Sequence, residues 1–222
     1  MPLQAILLDL DGTLVDSNDA HAQAWIDTLR EFGHRPEFQQ VRRLIGKGGD
    51  KLLPEVTGVD PESELGKRIS KQRSALFRER FLPELKAFPG SRALLQRMHD
   101  AGIRLVVATS AQKEEMGPLL RIAGAEGLLY DATNSSEAEN SKPDPDIIEA
   151  ALRKAGCSAD EALMLGDTPY DIQAAAAAGV RTVAVRCGGW STEELEGALA
   201  VYDGPEQLLA AYEASPFATR AR

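Results

Sequence analysis

Runs of apolar residues with little polar alternation recur along the chain, separated by stretches with helical periodicity. Strands buried on both faces of a sheet have this continuous apolar pattern, and parallel strands need crossover helices between them. The predicted strands lie at 5–10, 103–109, 127–131, 162–166 and 181–186, with a weaker edge strand at 199–202. The pattern therefore predicts an α/β fold built on a parallel sheet.

Four of the predicted helices end in the dipeptide Ala-Gly ahead of an apolar run. Glycine just past a helix end adopts the left-handed conformation without steric cost, and the chain can then enter a strand. The glycines are Gly102, Gly124, Gly156 and Gly179. The repeated order of helix, glycine and strand predicts a Rossmann-like parallel sheet core with helices on both faces.

Residues 17–85 break this rhythm, because their apolar positions follow a helical period and form no convincing strand. The turn Phe88-Pro89-Gly90 follows directly. We predict an α-helical cap domain at 17–85, inserted into a core domain of residues 1–16 and 86–222. The end of the chain, 215–222, is expected to fray.

Composition narrows the functional classes. The 222 residues are 43% hydrophobic and carry a net charge of -9, which favours a globular protein and disfavours binding to nucleic acid or an anionic membrane through bulk charge. No stretch approaches the ~20 apolar residues that span a bilayer, and the N-terminus lacks signal-peptide features. We therefore expect a cytoplasmic protein, with Cys157 and Cys187 as free thiols.

Polar side chains that could carry chemistry follow the predicted strands. Asp9 and Asp11 end the first strand on one side of it, and Ser110 and Asp167 follow two others. Lys142 precedes a proline that biases it toward an extended conformation. Open α/β sheets bind ligands beyond the carboxyl ends of their strands. Carboxylates, a hydroxyl and an ammonium at one edge of the sheet suit phosphoryl transfer.

Each of these residues also has a purely structural interpretation. Aspartate before glycine is common in solvated turns, serine before a helix often caps it, and lysine is usually exposed. Asp167 or Asp171 could likewise cap the helix that follows. Each segment alone leaves both interpretations open, whereas the four segments together favour a site.

The succession of DLDGT, a strand-terminal serine, Lys-Pro and GDTPYD resembles the haloacid dehalogenase superfamily, in the branch with a helical cap after the first motif. The resemblance covers essentially the whole chain. It implies that Asp9 is the nucleophile that forms a phosphoaspartate and that Asp11 is the general acid and base, with Thr13 steadying their loop. It also implies that Ser110 hydrogen-bonds the transferring phosphoryl group and that Lys142 neutralises it.

A Mg²⁺ ion is implied as well, bound by Asp9, Asp167 and the backbone carbonyl of Asp11, with Asp171 as outer support. Unit charges ~4 Å apart interact by about 4 kcal/mol at an effective dielectric constant of about 20, so carboxylates facing a phosphate dianion need a cation. Mg²⁺ suits a site with few carboxylates, substrate oxygens and water. The dehalogenases of the superfamily lack an acid at the position of Asp11, which disfavours carbon–halogen cleavage here.

The segment DSNDAHAQAW resembles that of β-phosphoglucomutases and related sugar-phosphate phosphatases. His21 and Trp25 share one helix face; the matching histidine helps proton transfer in the mutases, but a packing role is the alternative, and Trp25 is expected in the core of the cap. The glycine-rich segment 46–51 is either a substrate-specificity loop or a flexible turn. The candidate substrate-binding residues are His21, Gly46, Lys47 and Ala111.

The expected function is a Mg²⁺-dependent phosphatase that hydrolyses a small phosphomonoester, and the resemblance suggests phosphoglycolate or a sugar phosphate. A phosphosugar mutase similar to β-phosphoglucomutase is the alternative, and a non-catalytic module that binds a phospho-ligand is a remote one. The expected partner is a small phosphorylated metabolite, with no nucleic acid and no membrane. The protein is expected to be a monomer or a small homo-oligomer.

Overall fold

Six parallel strands form one sheet at the centre of the molecule, in a computed structural model that describes residues 2–221. The strands are β1 (Ala5–Leu8), β2 (Arg104–Ala108), β3 (Asp131–Thr133), β4 (Ala162–Gly166), β5 (Arg181–Val185) and β6 (Ala200–Tyr202). Their order across the sheet is β3-β2-β1-β4-β5-β6, and every neighbouring pair is parallel. This doubly wound order confirms the Rossmann-like prediction and places the topological switch point between β1 and β4.

Helices connect the strands and cover the sheet. They are α1 (Asn18–Glu31), α2 (Phe38–Arg42), α3 (Gly49–Thr57), α4 (Glu64–Leu76), α5 (Ser91–Asp100), α6 (Lys113–Ala123), α7 (Asp146–Ala155), α8 (Pro169–Ala177), α9 (Pro205–Ala210) and α10 (Pro216–Ala221). The four glycines of the Ala-Gly dipeptides have φ values between 63° and 76°, as the sequence predicts. Within residues 2–221, none of the helices is both long enough and apolar enough to cross a bilayer.

The sheet buries apolar side chains on both faces. In β1, Ile6 and Leu8 join a cluster with α5, α6, α9 and α10, whereas Ala5 and Leu7 join a second cluster with α7 and α8. All four side chains are fully buried. Burying a leucine or isoleucine stabilises a fold by about 1.5 to 3 kcal/mol, so the continuous apolar strands are explained by helices on both sides.

The segment between β1 and α5 is helical. It contains α1 to α4, here named the inserted helices, followed by a π-helical turn at Phe77–Phe81 and a 3₁₀ turn at Leu82–Glu84. The inserted helices pack around an apolar cluster of their own, which includes Trp25, Leu29 and Leu53. This cluster lies apart from the two clusters on the faces of the sheet.

Two predictions are wrong in detail. The third strand is Asp131–Thr133 rather than 127–131, because Gly127 turns the chain with a φ of 77°. Pairing with β2 begins only where the N–H of Tyr130 donates to the carbonyl of Leu105 at 2.8 Å. The segment that was expected to fray contains α10, whose Phe217 is fully buried against the sheet.

Candidate active site

Most of the candidate residues lie beyond the carboxyl ends of the strands, the edge at which α/β sheets bind ligands. Asp9 directly follows β1, and its N–H still donates to the carbonyl of Leu165 at 2.9 Å. Asp167 follows β4 and Ser110 lies beyond β2, while Lys142 comes from the segment between β3 and α7. Four segments far apart in sequence therefore meet at this edge of the sheet.

Lys142 lies at the centre of this group and is only 1% exposed. Its Nζ is 2.7 Å from Oδ1 of Asp9 and 2.7 Å from Oδ1 of Asp171. Burial alone would lower the pKa of a lysine, but the two carboxylates outweigh burial and raise the pKa of Lys142 above its ordinary value. Lys142 is therefore a fixed positive charge beside Asp9, not an exposed side chain.

Two buried carboxylates of the group, Asp9 and Asp167, have pKa values above their ordinary range. Burial raises the pKa of Asp9 to about 7; Lys142 opposes this shift, and the charges of Asp171 and Asp11 add to it. Burial also raises the pKa of Asp167 well above its ordinary value, together with the charges of Asp9 and Asp171. Both pKa shifts therefore come first from burial and then from the mutual repulsion of the carboxylates.

The residues present fit a hard divalent cation. Asp9, Asp167 and Asp171 are buried, and each offers a carboxylate oxygen within 4.8 Å of the others. When all three are ionised, Lys142 leaves two negative charges uncompensated, which a divalent cation would balance. A few carboxylates that leave room for water and substrate oxygens are the donors that Mg²⁺ prefers.

Asp171 serves both the helix start and the site. The N–H and Oγ1 of Thr168, the N-cap of α8, donate to Oδ2 of Asp171 at 3.0 and 2.8 Å, and the N–H of Asp171 donates back to Thr168 Oγ1 at 3.1 Å. The other carboxylate oxygen of Asp171 pairs with Lys142. Both oxygens are thus engaged by protein groups, which suits a supporting position better than that of a direct ligand.

Thr13 lies between the two other carboxylates of the group. Its Oγ1 is 3.1 Å from Oδ2 of Asp9 and 2.9 Å from Oδ1 of Asp167. A hydroxyl has a single proton, so Thr13 donates to one of the two carboxylates at a time. The threonine therefore holds the ends of β1 and β4 together at the switch point of the sheet.

Asp11 points away from this group, toward the inserted helices. Its Oδ1 accepts from Ser17 Oγ at 2.5 Å and contacts His21 Nε2 at 2.8 Å. Burial acts to raise the pKa of Asp11, but His21, Ser17 and the charge of Arg73 hold it below its ordinary value. Arg73 also contacts His21 Nδ1; because a guanidinium only donates, Nδ1 accepts and the ring proton lies on Nε2, directed at Asp11.

A buried ion pair extends this network. Nη1 of Arg73 in α4 donates to both carboxylate oxygens of Glu115 in α6, at 2.9 and 3.2 Å, and Ser74 Oγ donates to Oε1 at 2.8 Å. Glu115 is fully buried and Arg73 is 7% exposed. The pair joins the inserted helices to α6, a helix that packs on one face of the sheet, and through His21 it reaches Asp11.

A cavity opens beside Asp9 and Asp11, between the inserted helices and the strand ends. The candidate substrate-binding residues all line it: His21, Gly46, Lys47 and Ala111. Ser110 lines it too and donates from Oγ to the carbonyl of Gly46 at 3.4 Å. The N-cap of α6 is Gln112, so Ser110 is not the helix cap that its sequence position allowed.

Trp25 belongs to the apolar cluster of the inserted helices, as predicted, and one side of it lines the cavity. The ammonium of Lys47 is 2.5 Å from Oε2 of Glu55, so its charge is partly balanced within the inserted helices. Cys157 and Cys187 form no disulfide with each other, in agreement with the prediction of free thiols.

Sequence reasoning missed several buried polar residues of the site, among them Asn18, Arg73 and Glu115. Asn18 donates to Asp167, and Arg73 and Glu115 form the ion pair behind His21. A signal for Asn18 existed, since it comes two residues after Asp16 in the segment that continues the first motif. Arg73 and Glu115 lie in charge-rich helical stretches, where nothing in the pattern distinguishes them from solvated residues.

Comparisons with known proteins agree with this geometry. The family model for haloacid dehalogenase-like hydrolase matches residues 6–185. Phosphoglycolate phosphatase of Rhodospirillum rubrum is 34% identical over 210 residues, which cover 90% of this chain and 87% of that protein.

Solved structures share the fold over nearly the whole chain. The crystal structure of a hydrolase from Pseudomonas syringae has a TM-score of 0.88 at 28% identity and covers 95% of this chain and 98% of that chain. CbbY from Rhodobacter sphaeroides in complex with phosphate has a TM-score of 0.79 at 26% identity, with coverages of 93% and 96%.

The family match spans the strands β1 to β5 and every strand-end residue of the site. The predicted enzyme class, a phosphatase-type hydrolase of the haloacid dehalogenase superfamily, is thereby confirmed. The chain belongs to the haloacid dehalogenase-like hydrolase family.

Proposed function

We propose that the protein is a Mg²⁺-dependent phosphatase that hydrolyses a small phosphomonoester through a phosphoaspartate on Asp9. The observation that carries the proposal is the position of Asp9, which is held against buried Lys142 at 2.7 Å and lines the cavity together with Asp11. Lys142 neutralises charge on the phosphoryl group, and Ser110, which lines the cavity, hydrogen-bonds it. This arrangement supplies a nucleophile, an acid and charge compensation in one place.

The chemistry takes two steps. A carboxylate oxygen of Asp9 attacks phosphorus, the ester oxygen departs with its bonding electrons, and Asp11 in its protonated form gives it a proton. Because His21, Ser17 and the charge of Arg73 lower the pKa of Asp11, only a small fraction of the free protein carries that proton near neutral pH. Ionised Asp11 then takes a proton from water, whose oxygen attacks phosphorus and breaks the bond to Asp9. The products are an alcohol and inorganic phosphate, and both aspartates return to their starting forms.

Asp9, Asp167 and the backbone carbonyl of Asp11 would hold the Mg²⁺ ion, with Asp171 supporting it from outside. When bound, the ion neutralises negative charge on the phosphoryl oxygens and on the carboxylates that face them. Thr13 orients the carboxylates of Asp9 and Asp167.

The inserted helices act as a cap domain in this proposal, with boundaries at 17–85 and a core domain of 1–16 and 86–222. The cap limits water in the cavity, and His21, Gly46 and Lys47 of the cap select the leaving group together with Ala111 of the core domain. Phosphoglycolate is a suitable first substrate, since the phosphoglycolate phosphatase of Rhodospirillum rubrum is 34% identical to this chain. We place the activity in the cytoplasm, on a small phosphorylated metabolite.

A phosphosugar mutase is the second candidate, and the contact of His21 with Asp11 at 2.8 Å favours it, because this pair could move a proton on a bound sugar. The two activities differ in the fate of the phosphoryl group on Asp9. A phosphatase transfers it to water, whereas a mutase returns it to a sugar phosphate.

The experiment is a panel of phosphomonoesters that includes phosphoglycolate and sugar phosphates, assayed with Mg²⁺ for released phosphate and for isomerised sugar phosphate. We expect phosphate release from at least one ester and its loss in Asp9→Asn. Isomerisation without net phosphate release would support the mutase. If no ester reacts while phosphate still binds, the remote alternative of a non-catalytic phospho-ligand module replaces the proposal.

A further inference from the structure

Asn18 is the first residue of α1. Its side chain is buried against the strand ends, and only 2% of the residue is exposed. Its Nδ2 donates to Oδ2 of Asp167 at 2.9 Å and to the carbonyl of Gly188 at 3.1 Å. An amide NH₂ group has two protons, and both acceptors are oxygens, so the geometry uses both protons. One side chain of an inserted helix thus bridges the loops that follow β4 and β5.

The contacts leave Asp167 ready to bind a cation. Asn18 donates to Oδ2 of Asp167 at 2.9 Å, and Thr13 Oγ1, which shares its proton between Asp9 and Asp167, lies 2.9 Å from Oδ1. A carboxylate oxygen accepts at two lone pairs, so each oxygen keeps one for another partner. Both donors are neutral, so they fix the orientation of the carboxylate without compensating its charge.

The backbone at Gly12 and Gly188 packs tightly against the side chain of Asp167. A Cβ atom on Gly188 would lie 1.7 Å from Oδ2 of Asp167, and a Cβ atom on Gly12 would lie 2.3 Å from the same oxygen and 2.1 Å from Asn18 Nδ2. Only glycine fits at these two positions with Asp167 and Asn18 placed as they are. Asp167 therefore has little freedom to turn while Asn18 is in place.

The remaining polar atom of Asn18 is unused. Oδ1 is buried and has no hydrogen-bond partner among the described residues. A buried acceptor without a partner costs free energy, and Mg²⁺ in protein sites retains several water molecules that need acceptors. This atom is thus available to a water molecule of the cation site.

We infer that Asn18 is a positioning residue that sets the divalent-cation affinity of the site by fixing Asp167. The inference rests on the proposed function, which assigns the cation to Asp9 and Asp167. Partners that orient metal ligands typically change affinity by about 10- to 100-fold when removed. Asn18 contacts Asp167 and its neighbour Ser17 contacts Asp11, so the start of α1 would position both Asp167 and Asp11.

The test is titration of the purified metal-free protein with Mn²⁺, with free Mn²⁺ read by electron paramagnetic resonance and Mg²⁺ measured by competition. We expect Asn18→Ala to weaken Mn²⁺ binding by about 10-fold or more. Asn18→Leu, which fills a similar volume without hydrogen bonds, should do the same and is used if the alanine variant does not fold. High Mg²⁺ should restore hydrolysis in either variant, which a general structural defect would not allow.

Thr28→Val is the matched control, because Thr28 is fully buried in the same helix and its Oγ1 has no hydrogen-bond partner in the described part of the chain. It should leave Mn²⁺ affinity unchanged. Asp167→Asn should remove the site. Mn²⁺ affinity within about twofold of wild type in both Asn18 variants would overturn the inference, and so would a wild-type chain that binds no Mn²⁺.

The readouts separate this inference from the proposed function. Mn²⁺ binding that needs Asp167 and Asn18, in a protein that hydrolyses no phosphomonoester, supports the inference and contradicts the phosphatase. Phosphoester hydrolysis by a protein whose Mn²⁺ affinity does not depend on Asn18 supports the phosphatase and contradicts the inference.

Discussion

Replacing Lys142 by methionine tests the charge balance of the site. Methionine keeps most of the buried length of the side chain and removes only the ammonium, which lies 2.7 Å from both Asp9 and Asp171. Unit charges at this distance attract by about 6 kcal/mol at an effective dielectric constant of about 20. Removing one partner of a buried pair typically costs about 3 to 5 kcal/mol net, because the other charge stays buried and unpaired.

The loss of unfolding free energy in Lys142→Met should depend on pH, and the raised pKa of Asp9 decides at which pH the loss is larger. The pKa of Asp9 is raised to about 7, so the folded protein binds a proton there that the unfolded chain releases at lower pH. At about pH 5, Asp9 is largely neutral and Lys142 has less charge to balance. We expect Lys142→Met to lose about 3 to 5 kcal/mol of unfolding free energy at about pH 8 and clearly less at about pH 5.

The assay is urea denaturation of both proteins at the two pH values, with EDTA present so that no divalent cation contributes. Lys154→Met is the control, because Lys154 is a partly exposed lysine of the same domain whose Nζ is 2.5 Å from Glu137. Ion pairs of that kind contribute about 0 to 1 kcal/mol. A loss for Lys142→Met no larger than for the control, or an equal loss at both pH values, would refute the charge-balance argument.

A double variant isolates the pair. Asp171→Asn removes a negative charge while leaving an amide oxygen that can accept from Thr168, so the start of α8 is kept. Added to Lys142→Met, it should restore part of the lost stability, with a coupling of about 0.5 to 3 kcal/mol. An additive double variant would mean that the 2.7 Å contact contributes nothing to folding.

Three further predictions follow from the site. In metal-free protein, the free energy of unfolding should fall as pH rises from about 4 to about 7, because the folded pKa of Asp9 is raised. Mg²⁺ should therefore raise the Tm more at about pH 8 than at about pH 5. Equal Tm shifts at the two pH values would contradict this prediction. Asp11→Asn should slow the first-turnover release of an alkyl alcohol by about 10² to 10⁴ but the first-turnover release of p-nitrophenol much less, since that leaving group needs no proton; equal losses in this first step would argue against acid catalysis. Glu115→Gln should leave Arg73 buried without its counter-charge and lower the unfolding free energy, measured by urea denaturation, by about 3 kcal/mol. Glu149→Gln is the control, because Glu149 is exposed on α7, and it should change the unfolding free energy little.

The sequence was enough to predict which residues lie at the carboxyl edge of the sheet. Parallel strands present their carboxyl ends at one edge, so Asp9 after β1 and Asp167 after β4 had to lie at the same edge once the strands were identified. The pairing of β1 with β4 is what brings them together. The order of the strands, and therefore the neighbour of β1, could not be predicted from periodicity and is given by the structure.

The third strand was misplaced for a local reason. The apolar residues Leu128 and Leu129 look like a strand, but Gly127 turns the chain with a positive φ and Leu128 packs into the cluster on one face of the sheet. The strand that forms, Asp131–Thr133, is short and polar at its start, so its pattern carries no signal. Tertiary packing decides which of the two segments joins the sheet.

The network around Asp11 could not be predicted from sequence. Arg73 and Glu115 are 42 residues apart, and both lie in helices rich in charged residues, where an ion pair and two solvated side chains have the same pattern. Their burial depends on how α4 docks against α6. That docking depends on the packing of both helices in the folded chain, and no local sequence pattern in either segment predicts it.

Asp171 shows why the structural and the catalytic interpretations of a residue need not compete. Its Oδ2 is held by two donors of Thr168 at the start of α8, so the side chain cannot rotate without losing the helix cap. The same constraint directs Oδ1 at Lys142, 2.7 Å away, and Lys142 in turn is held against Asp9. A helix cap therefore fixes the position of the ammonium beside Asp9. Loss of the cap should misplace Lys142 as well as destabilise α8, so a substitution of Asp171 that removes the cap should change both stability and the charge beside Asp9.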